Sequence, residues 1–175
     1  MIQNDNFKVN KSVLNYIHAR DFFPKEDVEK YFLAINSLRF EQKIYGMEIP
    51  DFNMIFPEID ILWGKMLGDF VKIVDEESGV FRKPYKNVIH FENFESLNEW
   101  RFAVSLDANE FNTYRHKSGI QNALEGYEDL NYFNPEDWDR ETNIILKPND
   151  AIFYRPWVFH SFDNGLMQCY KILVE

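Results

Sequence analysis

The spacing of apolar positions changes near residue 70. Before it, apolar residues recur at helical intervals. Pro24 opens a stretch over 25–38 with Val28, Phe32 and Ile35 on one stripe. A second stretch, EIDILWGKMLGDF over 58–70, places Ile59, Leu62, Trp63, Met66 and Leu67 in the same way. Residues 13–17 form a short β-type run, 39–45 alternate weakly, and 46–57, with two prolines, reads as loop. After residue 70 the period shortens. Strands are predicted over 71–74, 80–94, 101–106, 111–116, 144–146, 151–154, 157–162 and 166–174, with a charged turn over 75–79. Gly119, Asn134-Pro135, Pro148-Asn149-Asp150 and Asp163-Asn164-Gly165 supply the breaks. The segment 119–140 is long, acidic and aromatic, and reads as an inserted loop with a helical turn or two. Two helices followed by many close-set strands predict a mainly β sandwich or open barrel with the helices packed on one sheet.

A length of 175 residues fits a single domain, with 1–75 as a supporting region and 80–175 as the β core. With 45% hydrophobic residues, including 17 Phe, there is enough apolar material for one core, and the composition argues against disorder. The net charge of -10 repels phosphate backbones and anionic lipid, which argues against nucleic acid and membrane surfaces as partners. Cys169 is the single cysteine, so a disulfide within the chain and a Cys-rich zinc site are excluded, and a reducing, cytoplasmic setting is expected. The polar start MIQNDNFKVNKS has no apolar signal core, and no run is long enough to span a bilayer. Neither a clustered Gly-rich phosphate loop nor a G-x-S-x-G elbow is present. The aromatic content leaves room for a homodimer interface.

The candidate chemistry lies in IHFENF, residues 89–94. On a strand, positions i and i+2 share a face, so His90 and Glu92 project together. They are either a polar pair on a solvent face or two thirds of a metal site. His160, in the strand-like run PWVFHSF, supplies the third member of a facial triad, in which three protein ligands leave the opposite face of a metal open. Spacing alone leaves both readings standing. Of the remaining polar residues, Arg82, Lys83 and His18 read as surface or packing residues. Arg155 reads as a structural ion-pair partner and His116 as a strand-end contact. Cys169 reads as a small buried side chain.

The chain resembles the 2-oxoglutarate- and Fe(II)-dependent oxygenases of the double-stranded β-helix (jelly-roll) class. The likeness includes the helix after FFPKEDVEKYF, the helix at EIDILWGKML and the strand carrying HFE, where the family more often has H-x-D. WRFAVSLDANEFNTYRHKSG, with Tyr114-Arg115-His116, resembles the stretch after the first His in small bacterial and phage members. NDAIFYRPWVFHSFDN also resembles the second cupin motif, through Asp150, Pro156, His160 and Asn164. Cupins share the barrel, so both likenesses imply a cupin-like jelly roll.

The resemblance to the oxygenases implies that His90, Glu92 and His160 hold Fe(II), while Lys171, with Tyr114, holds 2-oxoglutarate. The expected reaction is a hydroxylation in which O₂ and 2-oxoglutarate are consumed and succinate is formed, on a small molecule or a residue of another protein. The insertion over 119–140 would be the lid. One departure is plain. The family places an Arg, sometimes a Lys, about ten residues after the second His, and here no Arg follows Arg155. Lys171 stands at a comparable distance and, by alternation from Leu166, shares a face with Met167 and Cys169. Anchoring the alignment on GLMQCY instead puts the family's Arg at Gly165. Two alternatives therefore stand beside the oxygenase: an inactive jelly-roll module for binding or assembly, as in a phage, and a metal-dependent cupin that uses no 2-oxoglutarate.

Overall fold

The computed structural model describes residues 15–26, 28–29, 40–44, 47–50, 71–83, 88–163 and 165–174. Ten strands run along them: β1 Tyr16–Ala19, β2 Phe40–Ile44, β3 Met47–Pro50, β4 Val71–Lys83, β5 Glu99–Ser105, β6 Asn109–His116, β7 Trp138–Leu146, β8 Ala151–Tyr154, β9 His160–Asp163 and β10 Gly165–Val174. Every strand pairing is antiparallel. Seven strands form a large sheet in the order β1-β8-β5-β10-β4-β3-β2, and three form a small sheet in the order β7-β6-β9. Residues around His90 lie against the outer side of β9 through an isolated bridge to His160.

The core lies between the two sheets. Ala103, Ile152 and Tyr154 of the large sheet pack against Phe111, Leu146 and Phe162 of the small one, with Tyr16 beside them. The reverse of the large sheet is also covered. Phe22 packs on Phe102 and Phe153, with ring centroids 5.2 and 5.9 Å apart. A strand buried on both faces loses its polar alternation, and all of β5, EWRFAVS, is buried. Asn149 pins the covering segment. Its side-chain amide exchanges two hydrogen bonds of 3.0 Å with the backbone of Phe23. Its φ of 73° is left-handed, a conformation that Asn tolerates better than most residues.

The structure is mainly β, as expected, and differs from the sequence reading in detail. Pro24 does open helical backbone, seen at Lys25, Glu26, Val28 and Glu29, with the Val28 amide donating to the Pro24 carbonyl at 3.2 Å. The rest of the helix expected over 25–38, and all of that over 58–70, lie outside the described residues. The charged turn expected over 75–79 is part of β4. Gly79 pairs with Cys169 and Val74 with Lys171, so 75–78 are taken up as a bulge opposite Tyr170. Part of the loop expected over 46–57 is β3, which pairs with β2. Of the strand expected over 80–94, residues 80–83 belong to β4, and 88–94 carry one isolated bridge, at His90.

Candidate metal centre

His90 and His160 face each other across the bridge. The His90 amide donates to the His160 carbonyl at 3.0 Å, and the His160 amide donates to the His90 carbonyl at 2.8 Å. Directly opposed residues of an antiparallel pair project to the same side. The two imidazoles accordingly sit 4.3 Å apart, centroid to centroid. The Glu92 amide donates to the Pro156 carbonyl at 2.8 Å, which anchors this residue to the turn before β9.

Three donor atoms converge. Glu92 Oε1 is 3.6 Å from His90 Nε2 and 3.7 Å from His160 Nε2. The donors of all three residues lie within 4.8 Å of one another. These separations are too long for good hydrogen bonds. They suit a shared central ion, because bonds of about 2.0–2.2 Å to one centre put neighbouring donors roughly 3–3.5 Å apart.

The ring protons are fixed by geometry. His90 Nδ1 donates to the Val88 carbonyl at 2.9 Å, and His160 Nδ1 donates to the Val158 carbonyl at 2.7 Å. A carbonyl can only accept, so each Nδ1 carries a proton, and it is Nε2 whose lone pair the neutral ring presents. His160 Nε2 is buried without a hydrogen-bond partner, and the His160 side chain has 0% exposure. His90 and Glu92 keep 31% and 35% of their side-chain surface open, so the trio has a closed side and an open one.

The charge states follow. Burial pushes the Glu92 carboxyl up, but the imidazoles of His160 and His90 outweigh it and hold the group well below its usual range. Burial lowers His160, and the neighbouring His90 lowers it further. Glu92 and the Val158 carbonyl oppose them, leaving a value of about 4. At neutral pH the set is therefore a neutral imidazole at His160 and an ionised carboxylate at Glu92, the protonation states that metal ligation requires. Tyr154 donates its hydroxyl to Glu92 Oε1 at 3.4 Å, and its ring lies 4.5 Å from that of His160. Phe111 and Phe162 flank His160 at 5.8 Å each.

Lys171 lies on the core side. In register, Lys171 of β10 is opposite Arg101 of β5, and Arg101 is opposite Tyr154 of β8. Paired residues share a face, so the row Lys171–Arg101–Tyr154 crosses the inner side of the large sheet. Lys171 and Arg101 are both buried at 7% exposure. Lys171 Nζ is 3.8 Å and Arg101 Nη1 3.2 Å from the same oxygen, Glu99 Oε2. Arg101 escaped the sequence reading. Its one signal is the charged pair at Glu99 and Arg101, at strand spacing in an otherwise apolar run.

Tyr114 is not brought to the trio. Thr113 is the residue of β6 paired with His160, and Tyr114 points the other way, with its hydroxyl 3.1 Å from Ser161 Oγ. The insertion also lies on that reverse face. Its Ile120, Ala123, Leu130 and Tyr132 pack with Ile89, Trp138, Val158 and Phe159, behind the small sheet rather than over the open side. His116 meets Ser118 Oγ at 2.8 Å, and His18 meets Asp150 at 3.4 Å.

Neither a protein-family model nor a curated protein matches the chain. Solved structures do. HygX from Streptomyces hygroscopicus, with nickel, 2-oxoglutarate and hygromycin B bound, aligns at TM-score 0.63 and 9% identity over 98% of this chain and 87% of its own. The non-heme alpha ketoglutarate dependent epimerase SnoN from nogalamycin biosynthesis aligns at 0.60 and 12% identity, over 97% of this chain and 82% of its own. A 2OG-Fe(II) oxygenase family oxidoreductase from Burkholderia pseudomallei aligns at 0.51 and 10% identity, over 97% of this chain and 89% of its own. At these identities the likeness is one of architecture, and the chain has the fold shared by these 2-oxoglutarate-dependent proteins.

Proposed function

We propose that the chain is an Fe(II)- and 2-oxoglutarate-dependent oxygenase built on a double-stranded β-helix. His90, Glu92 and His160 hold the metal, and Lys171 holds the far carboxylate of the oxo-acid. The winding supports the barrel. The chain passes from β4 in the large sheet to the 88–92 segment beside the small one, back to β5, to β6 and β7, to β8, to β9 and finally to β10. Crossing between facing antiparallel sheets in this way is jelly-roll connectivity.

The observation that carries the reading is the donor set itself: two Nε2 lone pairs and one ionised carboxylate directed at one point, with one side open. Mixed nitrogen and oxygen ligation with open positions suits non-haem Fe(II). The bound metal and oxo-acid together would supply the oxidising chemistry that activates O₂ and consumes 2-oxoglutarate. The chain's own part is positional. The Val88 and Val158 carbonyls hold the two rings in the ligating tautomer, and Tyr154 orients the Glu92 carboxylate. Phe111 and Phe162 keep water from the His160 side. Lys171, with the adjacent Arg101, places cationic groups on the inner face in the row that ends at Tyr154. The substrate, a small molecule or a protein side chain, would reach the open side at His90 and Glu92. Tyr114 has no part in this assignment.

An inactive module fits less well. A buried imidazole nitrogen without a partner is a cost that an inert core has no reason to keep, and a ligand role accounts for it. A cupin without an oxo-acid would use the same trio and leave Lys171 and Arg101 to their ion pairs with Glu99.

Anaerobic thermal unfolding tests the assignment. Fe(II) at 100 times its dissociation constant adds about 2.7 kcal/mol, a rise of roughly 5–10 °C for a chain of this size. The expected result is that metal raises the midpoint, 2-oxoglutarate raises it further, and His160→Ala shows neither rise. A rise with metal and none from the oxo-acid would favour the cupin. No rise with either would remove the metal site.

A further inference from the structure

We propose that the acidic insertion between β6 and β7 is a docking surface for a basic segment of a partner polypeptide, with the exposed rings of Tyr127 and Phe133 as its apolar anchors. The inference needs the surface of the insertion alone, so it goes beyond the function proposed above and does not depend on the metal.

Two features coincide on the insertion. The first is open apolar surface. Leu124, Tyr127 and Phe133 are 48%, 44% and 82% exposed, three of the six large apolar side chains left exposed among the described residues. One such residue alone is ordinary, but a concentration of them in 124–133 marks an interaction surface. The second feature is charge of one sign. Glu125, Glu128, Asp129, Glu136, Asp137 and Asp139 fall in a stretch, 118–139, that has no Lys or Arg. Among the described residues none of these carboxylates is in an ion pair, and the nearest pair in sequence joins Arg115 to Glu141 at 3.7 Å. Carboxylates flank both rings, Glu125 and Glu128 about Tyr127 and Glu136 beyond Phe133. Aromatic anchors with charged neighbours have the composition of a protein interface, apolar at its centre and polar at its rim.

The anchors sit on held backbone. Behind them Ile120, Ala123, Leu130 and Tyr132 pack on the reverse of the small sheet. Tyr132 donates its hydroxyl to the Tyr127 carbonyl at 3.1 Å, and Trp138 Nε1 donates to the Asn131 carbonyl at 2.9 Å. The Tyr127 ring rests on Phe91, with centroids 4.9 Å apart. A surface arranged in advance spends less of its binding energy on ordering itself. Its charge selects the occupant. A chain of net charge -10 repels a second copy of itself, and it repels nucleic acid and anionic lipid as well. Lys and Arg side chains carry the complementary charge and also stack on open aromatic rings. Phe133 stands too open to line the kind of concave pocket that encloses a small ligand, which favours an extended polypeptide over a small cation.

The test uses the full chain and a fluorescein-labelled peptide of repeated Lys-Leu-Lys triplets, followed by fluorescence anisotropy at low and at physiological salt. Peptides of Lys-Ser-Lys and of Glu-Leu-Glu triplets, equal in length, are the comparisons. The Lys-Leu-Lys peptide should bind more tightly than the Lys-Ser-Lys peptide, and the Glu-Leu-Glu peptide should not bind. Phe133→Ser should weaken the Lys-Leu-Lys peptide roughly 5-fold or more. Its exposure means that the fold should be kept, and an unchanged unfolding midpoint checks this. Glu128→Gln with Asp129→Asn should weaken the peptide about 3-fold at low salt and less at physiological salt. Glu26→Gln with Glu29→Gln removes the same charge from the turn after Phe23, on the side of the large sheet, and should leave binding unchanged. Equal binding of the Lys-Leu-Lys and Lys-Ser-Lys peptides would overturn the site, as would no binding at low salt. So would a loss in the Glu26 and Glu29 variant as large as in the insertion variants, which would mean a general attraction to an acidic chain. Displacement of the peptide by an equal concentration of spermidine would point to a small cation and overturn the polypeptide assignment.

Discussion

His90 and His160 exchange both backbone hydrogen bonds across one bridge, and each donates its Nδ1 proton to the carbonyl two residues before it. The pairing thus sets the separation of the rings, and the local chain sets their tautomers. What remains for Glu92 is to reach the same point with a side chain one methylene longer than Asp. Tyr154 meets that extra length by donating to Oε1.

Tyr154→Phe should therefore cost metal affinity without costing the fold. The ring keeps its packing on His160 and Phe111 and loses the hydroxyl at Glu92. Groups that orient a ligand in this way are worth about 10–100-fold in metal affinity. Isothermal titration with Mn(II) gives the answer, and an unchanged dissociation constant would show that Glu92 needs no such support.

Acid should destabilise the metal-free protein well before its carboxylates are all protonated. His160 is held at about 4 when folded, against roughly 6.5 when unfolded. Between those values the unfolded chain binds the extra proton, so this contribution is fully present above about pH 6.5 and is lost as pH falls toward 4. Glu92, also depressed, acts with the same sign at lower pH. Urea unfolding at pH 7.5, 6 and 5 should show a fall in stability of up to about 2 kcal/mol, much reduced in His160→Gln. Parallel profiles for the two proteins would mean that His160 does not resist protonation.

The N-terminal covering segment should depend on Asn149. Asn149→Ala removes two hydrogen bonds to Phe23 and puts a Cβ-bearing residue without a polar side chain at φ 73°. The expected loss is about 2–3 kcal/mol, from about 1 kcal/mol per hydrogen bond and a further cost of about 1 kcal/mol for the left-handed backbone. Asn149→Gly keeps the backbone free and should lose less. Denaturant midpoints compare the two, and equal losses would assign the whole effect to the hydrogen bonds.

Much of the trio could be read from the chain, because strand alternation alone puts His90 and Glu92 on one face. The partner His160 could be named but not placed, since its distance depends on a bridge between residues far apart in sequence. Faces were harder to read. Tyr114 is one residue from Thr113, which pairs with His160, and which of the two faces the core is decided by the opposing sheet. Arg101 was hidden because β5 is covered on both sides, and its partners arrive from β10 and from the segment after Glu92. The run 75–79 has the composition of a turn. Only the partner strand β10 shows that it is a bulge.

The proposed chemistry requires one ion held at one point by His90, Glu92 and His160. Crystals of the protein soaked anaerobically with Mn(II) and 2-oxoglutarate, measured for anomalous scattering, test it most directly. The predicted result is a single strong peak bonded to His90 Nε2, Glu92 and His160 Nε2, absent in His160→Ala. A peak elsewhere, or none at the trio in a lattice that leaves its open side accessible, would contradict the metal centre and the function built on it.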